Sequence, residues 1–251
     1  MINQFKRLKD SHFQVEPFYL TNCWDVASAK LIEKQGAVVI GTSSYAVAQS
    51  LGYNDGEEVP FSYVVWLAER LVGNTTLPVT LDAEGLYSSG LKELGHHAEH
   101  LIRTGISGLN FEDQLLRDGS GRWPIQEQVK RIRLIKEVAS QLEVEIFLNA
   151  RTDVFFQGTN HQGLVEEVIE RGRAYAEAGA DGFFIPGTTD VAIVERVVNE
   201  VPLPINIMAE GKSSREKWHQ IGVKRISTGP HTYLDHQNQL AKKLSEVMSN
   251  D

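Results

Sequence analysis

Residues 77–85 read LPVTLDAEG and residues 108–114 read GLNFEDQ. In both stretches a short apolar run ends in acidic side chains, which is typical of a buried parallel strand whose carboxyl end carries polar groups. Runs of similar length and composition recur at regular intervals along the chain. They predict strands at residues 18–22, 37–42, 78–84, 108–112, 146–151, 182–186, 205–209 and 225–228.

Longer segments with helical periodicity lie between and after these strands. Gly36 and Gly179 follow two of them and precede a strand, where glycine ends a helix at low steric cost. Asp25 precedes another helix and is placed to accept hydrogen bonds from its first free amides. The predicted helices cover residues 26–35, 61–72, 91–104, 125–141, 164–178, 191–199, 215–221 and 240–248.

Eight strands that alternate with eight helices predict an α/β fold, a closed parallel (β/α)8 or TIM barrel. The alternative is an open doubly wound sheet, which usually carries a glycine-rich phosphate loop after its first strand. Residues 19–28, YLTNCWDVAS, contain no such loop. A length of 251 residues suits one barrel and no linker-like segment interrupts the chain, so we predict a single catalytic domain over residues 1–251.

The composition argues against several classes of protein. Hydrophobic residues make up 41% and charged residues 23% of the chain, as in ordinary soluble globular proteins. A formal net charge of −8 argues against a nucleic-acid-binding protein. No apolar run is long enough to span a membrane or to act as a signal peptide, and the single cysteine excludes an internal disulfide. We therefore expect a cytoplasmic protein without nucleic-acid or membrane partners.

Acidic residues gather at the predicted mouth of the barrel. Asp82 and Glu84 end the third predicted strand, and residues i and i+2 of a strand point to the same side. Glu112 ends the neighbouring strand, and three carboxylates at one mouth repel one another unless a proton or a cation neutralises them. Solvated or ion-paired carboxylates are the alternative interpretation. The matching strand ends favour a site for Mg²⁺, or for Mn²⁺ in its place.

Arg151 follows the apolar part of residues 147–153, FLNARTD, which places it at the barrel mouth as well. A guanidinium in this position can bind a substrate carboxylate through paired hydrogen bonds. An ion pair with Glu112 or Asp153 is the alternative, and the two roles are compatible.

Several segments resemble the isocitrate lyase and phosphoenolpyruvate mutase superfamily. They occur in the family's order and cover nearly the whole chain. The resemblance implies a TIM barrel of the phosphoenolpyruvate mutase and isocitrate lyase type. The matching segments are residues 22–37 (NCWDVASAKLIEKQGA), 41–57 (GTSSYAVAQSLGYNDGE), 77–85, 108–114, 147–153 and 174–187 (AYAEAGADGFFIPG).

The resemblance also implies the components of an active site. Family members bind Mg²⁺ through waters and an acidic cluster, matched here by Asp82, Glu84 and Glu112. The metal polarises a 2-oxo carboxylate as an enolate forms or collapses. The substrate carboxylate is held after the second strand and by the arginine after the fifth, while an acid in the second-strand loop lies near the reacting centre. The matching substrate-binding residues are Thr42, Ser43, Ser44 and Arg151, and the matching catalytic residues are Asp55, Glu112 and Arg151.

Residues 114–128, QLLRDGSGRWPIQEQ, depart from the known loops of the superfamily. Isocitrate and methylisocitrate lyases carry a K-K-C-G-H sequence after the fourth strand, and phosphonate-processing members use a lysine and an asparagine there. Both sets are absent here. Arg117 and Arg122 are candidates to replace them as anion-binding residues, with solvent-facing loop arginines as the alternative. The glycines predict a mobile loop over residues 115–123 that closes over substrate.

Other polar residues carry weaker signals. Cys23 lies at the mouth end of the first strand without a nearby histidine, so we predict a packing role. His96 and His100 have the spacing of a zinc pair, but their helix is expected outside the barrel, which favours a polar surface. Further mouth residues, whose roles stay open, are Tyr45, Tyr87 and Glu210.

The main functional hypothesis is a Mg²⁺-dependent lyase that cleaves a C–C bond of a small 2-oxo acid, or of a 2-hydroxy acid precursor, through a metal-stabilised enolate. A phosphonopyruvate hydrolase or phosphoenolpyruvate mutase-like enzyme, which acts on a P–C bond, is the alternative. A non-catalytic barrel that binds an oxo acid is the alternative from another class. The resemblance also implies a homo-oligomer, since family members are commonly dimers or tetramers and often exchange their last helix.

Overall fold

Short parallel strands form one sheet that closes into a barrel. The computed structural model describes residues 3–115, 121–158, 160–209 and 215–248. The strands in these ranges are β1 (Phe18–Leu20), β2 (Asn22–Cys23), β3 (Ile40–Thr42), β4 (Val79–Asp82), β5 (Gly108–Glu112), β6 (Phe147–Arg151), β7 (Gly182–Phe184), β8 (Ile205–Met208) and β9 (Arg225–Ser227).

The first predicted strand is divided at Thr21, and this division closes the barrel. β1 pairs with β9, while β2 pairs with β3, so the sheet order is β1-β9-β8-β7-β6-β5-β4-β3-β2. β1 and β2 together occupy one of eight positions around the barrel, because they are consecutive in the chain. The predicted (β/α)8 barrel is therefore confirmed, with its first strand in two pieces.

Helices alternate with the strands on the outside of the barrel. The sequence patterns did not predict α1, α3 and α7, which are short and lie before the barrel or in its loops. No described helix is both long and apolar enough to cross a bilayer. The helices are α1 (Gln4–Ser11), α2 (Val26–Lys34), α3 (Ser44–Leu51), α4 (Phe61–Val72), α5 (Leu91–Arg103), α6 (Ile125–Gln141), α7 (Val154–Gln157), α8 (His161–Glu177), α9 (Val191–Glu200), α10 (Arg215–Gln220) and α11 (His231–Met248).

Local sequence signals account for several helix ends. Asp25 is the N-cap of α2, where its Oδ1 accepts a hydrogen bond from the Ser28 amide at 2.7 Å. Gly36 and Gly179 have φ angles of 88° and 100°, in the left-handed region that glycine adopts at least cost. The prediction that glycines end α2 and α8 is thus confirmed.

The lower end of the barrel is filled by apolar side chains from the strands and from α1. Leu8 of α1 packs with Leu20 and Phe147, and all three are fully buried. His12, which follows α1, is 1% exposed and stacks on the Phe147 ring with centroids 4.1 Å apart. Helix α1 therefore closes the end of the barrel opposite the strand carboxyl ends.

Burial, together with the positive charge of Arg225, lowers the pKa of His12 to about 3. Between this value and the ordinary pKa near 6.5, the unfolded chain binds a proton at His12 that the folded chain does not. The free energy of unfolding should therefore fall as the pH is lowered from 7, by about 2 kcal/mol at pH 5 from this residue alone. We expect His12→Asn to remove this part of the pH dependence, as measured by urea unfolding at pH 7 and pH 5. The same difference in unfolding free energy between pH 7 and pH 5 in both proteins would contradict this prediction.

Cys23 on β2 is fully buried, and burial raises the pKa of its thiol to about 12. At pH 8 only about one thiol in ten thousand would be ionised, and thiolate is the reactive form. We expect the native protein to resist a thiol reagent and to react fully in guanidinium chloride. Stoichiometric labelling within minutes under native conditions would contradict the packing role.

The C-terminal helix α11 is exposed along most of its length. Tyr233 near its start is buried, whereas Leu240 and Leu244 are 42% and 48% exposed and Val247 is 81% exposed. These three apolar residues have the spacing of one helix face. Beside β1 lies an open groove of about 500 Å³, lined by residues of β1, of α2 and of the segment that follows α2. The structure thus leaves an apolar helix face and a groove uncovered in the single chain.

Candidate active site

A cavity of about 290 Å³ opens at the carboxyl ends of the strands. This is the end of a parallel barrel where the loops meet and where active sites occur. One part of its lining is polar and acidic, and the other part is apolar. Its lining residues are Asn22, Ser43, Ser44, Tyr45, Asp55, Asp82, Asn110, Arg151, Phe156, Phe184, Pro186, Met208, Ser227, Gly229, Pro230 and His231.

Asp82, the last residue of β4, is held from both neighbouring strands. Its Oδ2 accepts hydrogen bonds from the amide and the hydroxyl of Ser44 at 3.3 and 3.1 Å. Its Oδ1 accepts a long hydrogen bond from Asn110 Nδ2 at 3.4 Å. Its backbone amide donates to Thr42 Oγ1 at 2.9 Å. The carboxylate is therefore fixed at the start of α3, where helix amides favour negative charge.

Arg151, the last residue of β6, lies among carboxylates. Its Nε and Nη2 donate to the two oxygens of Asp153 at 2.8 and 3.1 Å. Its Nη1 lies 2.8 Å from Glu112 Oε2 and 3.7 Å from Asp82 Oδ1. Burial alone lowers the pKa of Arg151, but the carboxylates of Asp153, Glu112 and Asp82 raise it well above its ordinary value. The guanidinium is thus a permanent cation at the mouth.

Glu112, the last residue of β5, is 3% exposed. It lies directly beside Arg151, its partner residue in the pairing of β5 with β6. Burial raises the pKa of Glu112, and the Arg151 guanidinium opposes that effect. The contact of Glu112 Oε2 with Arg151 is an ion pair without hydrogen-bond geometry. This oxygen therefore keeps an unused acceptor site.

Glu84 does not share the position of Asp82. β4 ends at Asp82, and Glu84 has a φ angle of 51°, so the alternation expected for an extended strand does not reach it. Its Oε2 accepts hydrogen bonds from the amides of Gly56 and Glu57 at 3.0 and 2.8 Å, and its Oε1 accepts one from the Tyr87 hydroxyl at 2.8 Å. Glu84 therefore anchors the loop that carries Asp55. Burial and the nearby Asp55 carboxylate together raise the pKa of Glu84 to about 8.

Asp55 lines the cavity next to Asp82 and Ser44. Burial raises the pKa of Asp55 above its ordinary value, and repulsion from Asp82 adds to this effect. A carboxyl with a raised pKa retains its proton closer to neutral pH, which suits a group that transfers protons.

The predicted site residues divide into two sets. Those that line the cavity are Ser43, Ser44, Asp55, Asp82 and Arg151. The others lie behind them: the Thr42 hydroxyl is bound to the Asp82 amide, Glu84 holds the Asp55 loop, and Glu112 pairs with Arg151. The cavity thus brings together residues from β4, β6, the start of α3 and the loop after α3.

Sequence reasoning missed a polar layer beneath this mouth. Asn110 and Asn149 lie two residues before Glu112 and Arg151, so strand alternation points them to the same interior. Asn149 Nδ2 donates to Asn110 Oδ1 at 2.9 Å. Arg225 and Ser227 on β9 complete the layer, and Asn110 and Ser227 line the cavity. The alternation rule could have identified the two asparagines.

The remaining predicted candidates have other positions. Tyr45 lines the cavity, whereas Tyr87 is buried against Glu84. Arg122 lies 3.1 Å from Glu167 of α8, and His96 lies in a surface groove between α5 and α6. Arg117, Glu210 and residues 116–120 of the predicted mobile loop lie outside the described residues.

The site has donors that suit a hard cation. In the described ranges no three acidic, histidine or cysteine side chains converge as a metal cage. Mg²⁺ needs fewer protein ligands, because it is commonly held by one or two carboxylates and several waters. Asp82 and Glu112 both approach Nη1 of Arg151, the Ser44 hydroxyl donates to Asp82, and Glu112 Oε2 has no hydrogen-bond partner in the described part of the chain. These oxygen donors fit Mg²⁺ or Mn²⁺.

Several known proteins are similar to this chain. An uncharacterized protein of Mycobacterium tuberculosis H37Rv is 30% identical over 224 residues, which are 89% of this chain and 82% of that protein. An oxaloacetate decarboxylase of Pseudomonas putida KT2440 is 28% identical over 226 residues, which are 86% of this chain and 75% of that enzyme. A solved structure from Burkholderia cenocepacia J2315, provisionally assigned as a phosphonomutase, is 34% identical. It superposes with a TM-score of 0.93 over 97% of this chain and 99% of its own.

The family model described as phosphoenolpyruvate phosphomutase matches residues 5–248. The superfamily predicted from the sequence motifs, its barrel fold and its enzymatic nature are thereby confirmed. The chain belongs to the phosphoenolpyruvate phosphomutase family.

Proposed function

We propose that this chain is a Mg²⁺-dependent lyase that cleaves a C–C bond of a small 2-oxo acid, or of a 2-hydroxy acid precursor. The observation that carries the proposal is the position of Asp82, which lies in the cavity between the start of α3 and the Arg151 guanidinium. The 28% identical oxaloacetate decarboxylase supports C–C bond cleavage, since that relative removes a carboxyl group from a 2-oxo acid.

Asp82 and Glu112 would hold the cation, with Ser44 as a neighbouring oxygen donor and water in the other positions. When bound, Mg²⁺ supplies Lewis-acid stabilisation of the negative charge that develops on the 2-oxygen as the C–C bond breaks. Glu84 positions the Asp55 loop from behind rather than facing the substrate.

The substrate carboxylate is held by two features of the polar wall. Ser43, the N-cap of α3, and Ser44, its first residue, line the cavity where the helix dipole favours an anion. The Arg151 guanidinium is already oriented by Asp153 and Glu112, so little reorganisation is needed when a substrate binds. Thr42 contributes by tying β3 to the Asp82 backbone.

Asp55 is the residue we assign to proton transfer. It lines the cavity beside Asp82, and its raised pKa allows the carboxyl to keep a proton that the cleaved carbon then receives. The buried Glu84 carboxylate accepts hydrogen bonds from the amides of Gly56 and Glu57 and so holds this loop in place.

A second candidate is an enzyme that acts on a P–C bond. The 34% identical structure, provisionally assigned as a phosphonomutase, favours it. Residues 114–128 argue against it, because they lack the lysine and asparagine that phosphonate-processing members use.

Calorimetric binding of oxalate, which mimics an enolate, tests the site. We expect the wild-type protein to bind oxalate with Mg²⁺ but not in its absence. Asp82→Asn should weaken binding at least tenfold, or about 1.4 kcal/mol, because a neutral amide is a poor ligand for Mg²⁺. Asp181→Asn is the matched control, since Asp181 precedes β7 at the far end of the barrel and pairs with Lys136. Metal-independent binding, or equal affinity in Asp82→Asn, would reject the proposed site.

Turnover then separates the two candidates. The Mg²⁺-loaded protein is incubated with a series of 2-oxo acids, their 2-hydroxy precursors and phosphonopyruvate. A cleaved carbon product supports the lyase, and release of inorganic phosphate or formation of a phosphate ester supports the P–C enzyme. Oxalate binding without turnover of any of these compounds would contradict both.

We also propose that the chain forms a homo-oligomer, a dimer or a tetramer, through α11. The exposed Leu240, Leu244 and Val247 form an apolar face, and the groove beside β1 is open in the single chain. Burial of such a face against a second copy would remove it from water.

Light scattering after size exclusion measures the oligomeric state. We expect Leu240→Glu combined with Leu244→Glu to shift the wild-type oligomer to a monomer, because two buried charges are costly at an apolar interface. Lys242→Glu, also on α11 but off this face, should leave the mass unchanged. A monomeric wild type, or an unchanged mass in the double variant, would show that α11 is not the interface.

A further inference from the structure

The guanidinium of Arg225 lies inside the barrel, below the candidate active site. Arg225 of β9 is 1% exposed. Its Nε donates to Ser227 Oγ at 3.1 Å and its Nη2 donates to Asn110 Oδ1 at 3.3 Å, while its Nη1 has no hydrogen-bond partner in the described part of the chain. Within the described ranges, no carboxylate oxygen is found within 4.0 Å of it, whereas Arg151 and Arg171 each have at least two such partners.

A charge buried in this way is unfavourable for folding by itself. Desolvation penalises the cation, and an apolar side chain of similar size at such a position is often at least as stable. Burial lowers the pKa of Arg225 to about 9, while the Asp82 carboxylate raises it, so the residue remains charged at neutral pH. A role connected with the acidic mouth would explain why the cation is there.

Asn110 links Arg225 to Asp82. The Asn110 Oδ1 atom accepts from Arg225 Nη2 at 3.3 Å and from Asn149 Nδ2 at 2.9 Å. Two donors on this oxygen orient the amide so that Nδ2 points to Asp82 Oδ1, 3.4 Å away. In the flipped orientation Asn110 would present its oxygen to the carboxylate, which is repulsive. Arg225 therefore selects the orientation of Asn110 that holds Asp82.

We propose that Arg225 is a positioning residue for the cation site: through Asn110 it holds the Asp82 carboxylate in the orientation that binds the metal. The proposal rests on the proposed function above, in which Asp82 is a ligand. Ser44 holds the other oxygen of Asp82, so the Arg225–Asn110 path controls Oδ1 alone.

The direction of the effect distinguishes this role from a purely electrostatic one. Removal of a nearby positive charge should by Coulomb's law strengthen the binding of a cation. Loss of the orientation of Asp82 should weaken it. A weaker affinity for the metal in Arg225→Met is therefore the result that only the positioning role predicts.

Mn²⁺ binding in the presence of oxalate, measured by calorimetry and electron paramagnetic resonance, tests the proposal on the full-length protein. We expect Arg225→Met to bind Mn²⁺ about tenfold more weakly than the wild type, and Arg225→Lys to recover part of the loss. Asn110→Ala should weaken binding similarly, and the double variant should be no weaker than either single variant, because both act on one path. Lys136→Met, which removes a partly buried cation at the opposite end of the barrel, is the control and should leave the affinity unchanged.

The outcomes separate the two proposals. If the wild type binds Mn²⁺ with oxalate and Arg225→Met binds it equally or more tightly, the positioning role is rejected while the proposed function stands. If Arg225→Met does not fold, an unchanged affinity in both Arg225→Lys and Asn110→Ala rejects the role in the same way. If the wild type does not bind Mn²⁺ with oxalate, the proposed function fails and the positioning role fails with it.

Discussion

The site depends on the ion pairs of Arg151. The parallel pairing of β5 with β6 places Arg151 directly beside Glu112, and Asp153 binds the same guanidinium through two parallel hydrogen bonds. Asp82 lies near the same guanidinium, with its Oδ1 3.7 Å from Nη1. Without this cation the buried carboxylates would repel one another, and with it they are held at fixed distances. The same interaction thus stabilises the mouth and keeps the Arg151 guanidinium beside the cavity.

The interior of the barrel changes from apolar to charged along its axis. Leu8 and Phe147 fill the lower end, Asn110 and Arg225 form a hydrogen-bonded middle, and the carboxylates occupy the mouth. Buried polar groups require partners, and Asn110 of the middle layer supplies one to Asp82 at the mouth.

Loops carry most of what could distinguish this chain from its relatives. The barrel superposes closely on the 34% identical structure, whereas residues 114–128 differ from the loops of the lyase and phosphonate subgroups. The loop with Asp55 is clamped onto Glu84 by two backbone amides, so its position follows from β4 and the turn after it. Barrels commonly vary their chemistry in this way, with a constant scaffold and changeable loops at one end.

Short-range sequence patterns were sufficient to predict the alternation of strands and helices, the glycines that end helices and the acidic residues at strand ends. These depend on local periodicity and backbone preference, which a sequence displays directly. The position of the Glu84 side chain could not be predicted in this way. β4 ends at Asp82, and Glu84 itself has a left-handed backbone conformation that turns its side chain toward the Gly56 amide. The division at Thr21 and the contact of Arg225 with Asn110, 115 residues away, also needed the tertiary structure. They arise from closure of the barrel, a long-range constraint that no local window of the sequence contains.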